Sequence, residues 1–94
     1  MIKPKVYHYT LTASTPYTFQ FDVDGSVFLI KNFTDSNLSV SYGDEIDSDS
    51  YSLIPKQSSQ ILYSTQNTTC ETETDKITVT SESAGIVEIQ ILEY

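Results

Sequence analysis

With 94 residues, 13 acids against five lysines and no arginine, the chain has room for one core and carries a net charge of −8, which argues against functions that need a cationic face. Nucleic-acid binding draws on counterion release from phosphates and on bidentate arginine contacts, so neither nucleic acid nor an anionic membrane surface is expected as a partner. Twenty-five serines and threonines, with alanine only at Ala13 and Ala84, favour strands and turns over helices.

Period-two alternation runs the length of the chain, and no 3.6-residue stripe competes with it. The first predicted strand, 5–11 (KVYHYTL), sets Tyr7 and Tyr9 against Val6, His8 and Thr10. After the turn residues Ser14-Thr15-Pro16 comes 17–23 (YTFQFDV), with Tyr17, Phe19, Phe21 and Val23 on one face and Thr18, Gln20 and Asp22 on the other. Asp22-Val23-Asp24-Gly25 reads as a hairpin turn. It leads into 26–33 (SVFLIKNF), where Val27 and Leu29 point one way and Phe28 and Ile30 the other, so both faces are apolar. Asp35-Ser36 separates this strand from 37–42 (NLSVSY), whose Leu38, Val40 and Tyr42 oppose Asn37, Ser39 and Ser41. Beyond Gly43-Asp44 are 50–55 (SYSLIP) and, past Pro55-Lys56-Gln57, 59–64 (SQILYS). The series closes with 76–81 (KITVTS) and, after Ala84-Gly85, 85–93 (GIVEIQILE). In that last strand Val87, Ile89 and Ile91 share one face, and Ile86 and Leu92 give the other face apolar ends.

Eight short strands in a single domain, residues 1–94, predict an all-β fold, an antiparallel β-sandwich of jelly-roll-like or immunoglobulin-like type, or a small barrel. The cysteine pair and tryptophan of an immunoglobulin domain are absent, which weighs against that branch. A two-layer sandwich leaves each sheet one outer face, so strands apolar on both sides need further cover. A chain this short has few loops to supply it. Phe28, Ile30, Ile86 and Leu92 are therefore the candidate docking residues, and a homo-oligomer or attachment to other proteins is expected.

Asp44, Glu45, Asp47 and Asp49 offer hard oxygen ligands, but the cluster lacks the EF-hand pattern. Counted from Asp44, the sixth position is Asp49 where glycine is needed, and the twelfth is Pro55 where glutamate is needed. The segment reads as a charged turn that discourages edge pairing, with Asp44, Asp47 and Asp49 as the alternative metal ligands; no cofactor is expected. His8 is the only histidine and reads as an ordinary strand residue; no nucleophile elbow accompanies it, and the three glycines are isolated, so the chain is expected not to be an enzyme. The single cysteine, Cys70, forms no internal disulfide, and Glu71 and Glu73 discourage its ionisation. Asn32, Asn37 and Asn67 fall in N-x-S/T patterns and read as turn and strand-end residues. The sequence opens with no apolar leader and holds no run of membrane-spanning length. Seven tyrosines supply amphipathic contact area, most of it at the core or its rim. They also support a second reading as a carbohydrate- or receptor-binding module.

Three features between residues 26 and 62 carry a resemblance. These are the apolar strand into Lys31-Asn32-Phe33-Thr34, the run Asp35-Ser36-Asn37-Leu38-Ser39-Val40-Ser41-Tyr42-Gly43, and Ile54-Pro55 leading to Ser58-Ser59-Gln60. The stretch resembles small accessory virion proteins of tailed bacteriophages, the β-sandwich modules of capsid decoration, head fibres and tails. The resemblance implies a structural role through self-association and attachment to a capsid or tail lattice, in a protein made in the host cytoplasm and located in the virion. It carries no functional residues over, since the matching positions are turns and core.

Overall fold

Each predicted strand forms within two residues of its expected limits. In a computed structural model, which describes residues 3–63 and 74–94, the elements are β1 Lys5–Leu11, β2 Tyr17–Gly25, β3 Val27–Asn32, β4 Leu38–Tyr42, β5 Ser52–Ile54, β6 Ser58–Tyr63, β7 Thr74–Ser81 and β8 Gly85–Glu93. They build two four-stranded sheets, sheet A in the order β1-β8-β3-β6 and sheet B in the order β2-β7-β4-β5. Every neighbouring pair is antiparallel. Pairing β1 with β8, β2 with β7, β3 with β6 and β4 with β5 rolls one long antiparallel ribbon into a sandwich. That is the jelly-roll order, not the immunoglobulin one. Cys70 and Asn67 lie outside the described residues.

The turn read at Asp22–Gly25 is not a hairpin. β2 belongs to sheet B and β3 to sheet A, so the chain crosses between layers at Ser26, whose N–H donates to the Glu93 carbonyl at 2.9 Å. The register of β2 against β7 shifts between Gln20 and Gly25, which bends the strand towards the other layer. A Cβ on Gly25 would sit 2.7 Å from Phe28 Cζ and 2.8 Å from Ile91 Cγ2, so the corner closes directly on the core.

That core is the apolar contact between the two inner faces. Sheet B contributes Phe19, Phe21, Leu38, Val40, Ile54, Ile77 and Val79; sheet A contributes Leu11, Phe28, Ile30, Leu62, Val87, Ile89 and Ile91. Phe28 and Ile30 are 0% exposed. Their expected place on a docking face is therefore wrong. Phe28 lies opposite Ile91 and Ile30 opposite Ile89 in the β3–β8 register, and directly opposed residues share a face. Since Val87, Ile89 and Ile91 point inward, so do Phe28 and Ile30, and Val27 and Leu29 take the outside.

The β1/β2 side of the sandwich is held by aromatic and polar contacts. Tyr9 and Tyr17 stack at 3.5 Å between centroids and 5° between planes, and Tyr7 packs on Phe21 at 4.9 Å. The Tyr7 hydroxyl donates to Asp22 Oδ1 at 2.6 Å, and Lys5 Nζ lies 3.4 Å from Asp22 Oδ2. Burial, then the bond to Asp22 and its charge, pushes the Tyr7 phenol up to about 12. The same hydrogen bond, helped by Lys5, holds the Asp22 carboxyl below its ordinary value.

Asn32, at the end of β3, is 1% exposed and ties the β3–β4 connection to the β5–β6 connection. Its side-chain amide donates to the carbonyls of Ser36, Ile54 and Pro55 at 2.9, 3.1 and 3.2 Å. Its Oδ1 accepts from the N–H and the hydroxyl of Thr34 at 2.9 and 2.7 Å.

Candidate functional site

The two outer faces of the sandwich differ in chemistry. On sheet B the outward side chains are mainly polar: Thr18, Gln20, Ser39, Lys76, Thr78 and Thr80, with Leu53 as an exposed apolar exception on the short edge strand and Thr18 and Thr78 bonded to each other at 2.7 Å. Part of this face is covered by the chain itself, since Thr78, 1% exposed, donates to the Gly43 carbonyl at 2.9 Å and Thr18 to the Asp44 carbonyl at 3.3 Å; water can solvate the rest.

Sheet A presents an apolar face instead. The register sets Val6, Gln90, Leu29 and Ile61 in one row across all four strands. Val27 and Tyr63 oppose each other at one end, beside Leu92, and Ile86 stands at the other end, its carbonyl accepting from the Phe33 N–H. Val6, Phe33, Ile61 and Ile86 are each about half exposed, and Tyr63 is 65% exposed. Of the four sequence-predicted docking residues, Ile86 and Leu92 lie on this face, while Phe28 and Ile30 lie beneath it. Sequence reasoning missed Val6, Leu29, Ile61 and Tyr63, whose shared row and edge appear only with the strand order.

Between the apolar rows runs a self-satisfied polar band, His8, Glu88, Lys31 and Ser59. His8 Nε2 donates to Glu88 Oε1 at 2.9 Å, and Gln90 Nε2 donates to Glu88 Oε2 at 2.7 Å. Lys31 Nζ lies 3.3 Å from the same oxygen. The Gln90 hydrogen bond, with Lys31 and His8 behind it, holds the Glu88 carboxyl below its usual range. Across the strands of sheet A, Lys5 and Lys31 balance Glu88 and Glu93. The charge of −8 therefore arises wholly from the rest of the chain.

The acidic loop is built as a turn. Asp47 Oδ1 accepts from the Asp49 N–H at 2.9 Å, the Asp47 carbonyl accepts from Ser50 N–H, and the Asp47 N–H donates to Ser41 Oγ. This use of an aspartate side chain to hold its own backbone is an Asx turn. Asp44, Asp47 and Asp49 are not brought together as a ligand set; among the described residues no three histidine, cysteine or acidic side chains converge. Beside the loop an open cleft of about 230 Å³ lies between Tyr42, Tyr51 and Leu62, with Asp49 and Ser50 on its rim.

Comparison with protein-family models, with curated proteins and with solved structures finds no match.

Proposed function

We propose that this protein is a non-enzymatic structural module, an accessory component of a bacteriophage virion, which works by packing the outer face of sheet A against neighbouring subunits. The observation that carries the reading is the contrast between the two outer faces: one polar, the other apolar and charge-balanced on a strongly anionic chain. Copies that repel one another elsewhere can approach at this face. The resemblance over residues 26–62 supplies the virion context. The jelly-roll order supports it by analogy, since capsid domains use it, although lectin domains do too.

The face is small. Four strands about 4.8 Å apart and about six residues long at 3.3 Å each project roughly 400 Å², half of the roughly 800 Å² that each partner buries in a standard interface. Each contact is thus weak and gains strength from the number of copies in a lattice.

The test is solution mass by light scattering across a micromolar series, together with detection of the chain in purified particles. Multiples of 10.6 kDa that fall in Ile86→Ser, with the chain present in particles, are expected. A monomer that is absent from particles would overturn the reading. Carbohydrate or receptor binding, the second reading, is favoured by the Tyr42–Tyr51 cleft. It predicts a glycan-array signal that Tyr51→Ala removes.

A further inference from the structure

A sandwich has four sheet edges, and three of these are protected against pairing with another chain. β5 is only three residues long. β2 carries Asp22 and Asp24 and breaks its register between Gln20 and Gly25. β1 follows Pro4 and contains the cation Lys5, which is turned towards Asp22 on the neighbouring layer. The fourth edge, β6, has none of these devices. Ser58-Ser59-Gln60-Ile61-Leu62-Tyr63 is six residues long, holds no charge and no proline, and pairs with β3 through an unbroken register. All of its side chains except Leu62 are exposed. Its far edge meets no other strand among the described residues.

We propose that β6 is an assembly edge, which pairs antiparallel with β6 of a second copy about a twofold axis and fuses the two A sheets into one of eight strands. The proposal rests on the self-association reading above and gives it a geometry. Three features favour a second copy over a foreign strand. An antiparallel pair about a twofold is self-complementary, so one surface serves both partners. With Ile61 opposite Ile61 of the other copy, Gln60 meets Leu62 and Ser59 meets Tyr63, so inward residues face inward residues and outward face outward; a slip by one residue would break this match. The seam itself is uncharged, which lets two anionic molecules meet there. Fusion also doubles the apolar outer face to roughly 800 Å², the area that each partner brings to a standard interface. The paired dimer would then be the unit that docks.

The experiment uses the full-length chain and three variants checked for folding by circular dichroism. Gln60→Lys places a charge at the edge, Ile86→Ser alters the face far from it, and Ile61→Cys in a Cys70→Ser background reports the pairing register. Opposed residues in an antiparallel pair lie within disulfide range. The expected result is a disulfide-linked dimer of the Ile61→Cys protein and a fall to 10.6 kDa for Gln60→Lys, with Ile86→Ser remaining at least dimeric. If Gln60→Lys keeps the wild-type mass, Ile61→Cys stays uncrosslinked and Ile86→Ser dissociates, the edge is overturned while self-association stands. A wild-type monomer at several hundred micromolar overturns both. If β6 amides gain exchange protection only on mixing with purified particles, the occupant is a foreign strand and the second copy is refuted.

Discussion

Replacing Asn32 by alanine removes five hydrogen bonds from a side chain that is 1% exposed. The carbonyls of Ser36 and Pro55 lie in part-buried contacts and can turn to water, and the Thr34 hydroxyl keeps Ser36 O and Ser81 Oγ as partners. The Thr34 N–H and the Ile54 carbonyl are bonded within buried contacts and lose their Asn32 partner. A stranded buried group costs about 1–3 kcal/mol, so the loss is about 4 kcal/mol, against a total stability of roughly 5–14 kcal/mol for a chain of this length. Urea unfolding followed by far-UV circular dichroism measures it, since the chain has no tryptophan. Asn32→Asp sharpens the argument, because it keeps the acceptor for Thr34 but turns an oxygen towards three carbonyls. Burial among acceptors raises that carboxyl's pKa, so its penalty relative to wild type is small below about 3.9 and grows above it. A loss below 1 kcal/mol in Asn32→Ala, or wild-type stability of Asn32→Asp at pH 7, would refute the stapling role.

Phe28→Ala is expected to cost about 3–5 kcal/mol by opening a cavity, whereas Leu29→Ser, on the outer face, should cost about 1 kcal/mol or less in the isolated domain; parallel denaturation curves decide. Gly25→Ala presses a methyl group onto Phe28 and Ile91 and should destabilise by about 1–3 kcal/mol. The Tyr7–Asp22 bond links stability to pH at both ends. Asp22 has a lowered folded pKa, so its contribution is present above its unfolded value and disappears as pH falls through the folded one. Tyr7 is raised to about 12, so its contribution is complete below the unfolded value of about 10 and fades as pH climbs towards 12. Tyr7→Phe should flatten both limbs of a stability–pH profile, and an unchanged profile would show that the bond is inert.

Period two, with turn residues between the runs, was enough to place all eight strands, because alternation and turn chemistry are local properties. In β2 and β4 the alternation also identified the inner face, since one side of each strand is mainly polar. β3 defeated the same logic. In VFLI both sides are apolar, and only pairing with β8 turned Phe28 and Ile30 inward and left Val27 and Leu29 outside. The Asp24-Gly25 corner looked like a hairpin because a turn's residues do not record which sheet the next strand joins. Asn32 read as a strand-end residue, while its carbonyl partners Ile54 and Pro55 stand more than 20 residues away. The apolar row Val6, Leu29 and Ile61 likewise gathers residues from three strands, and β6 became an unprotected edge only through its place at the end of sheet A. Local sequence determines which segments extend and how their side chains alternate; strand order, being made of long-range contacts, decides which of two apolar faces is buried and which edge stays open.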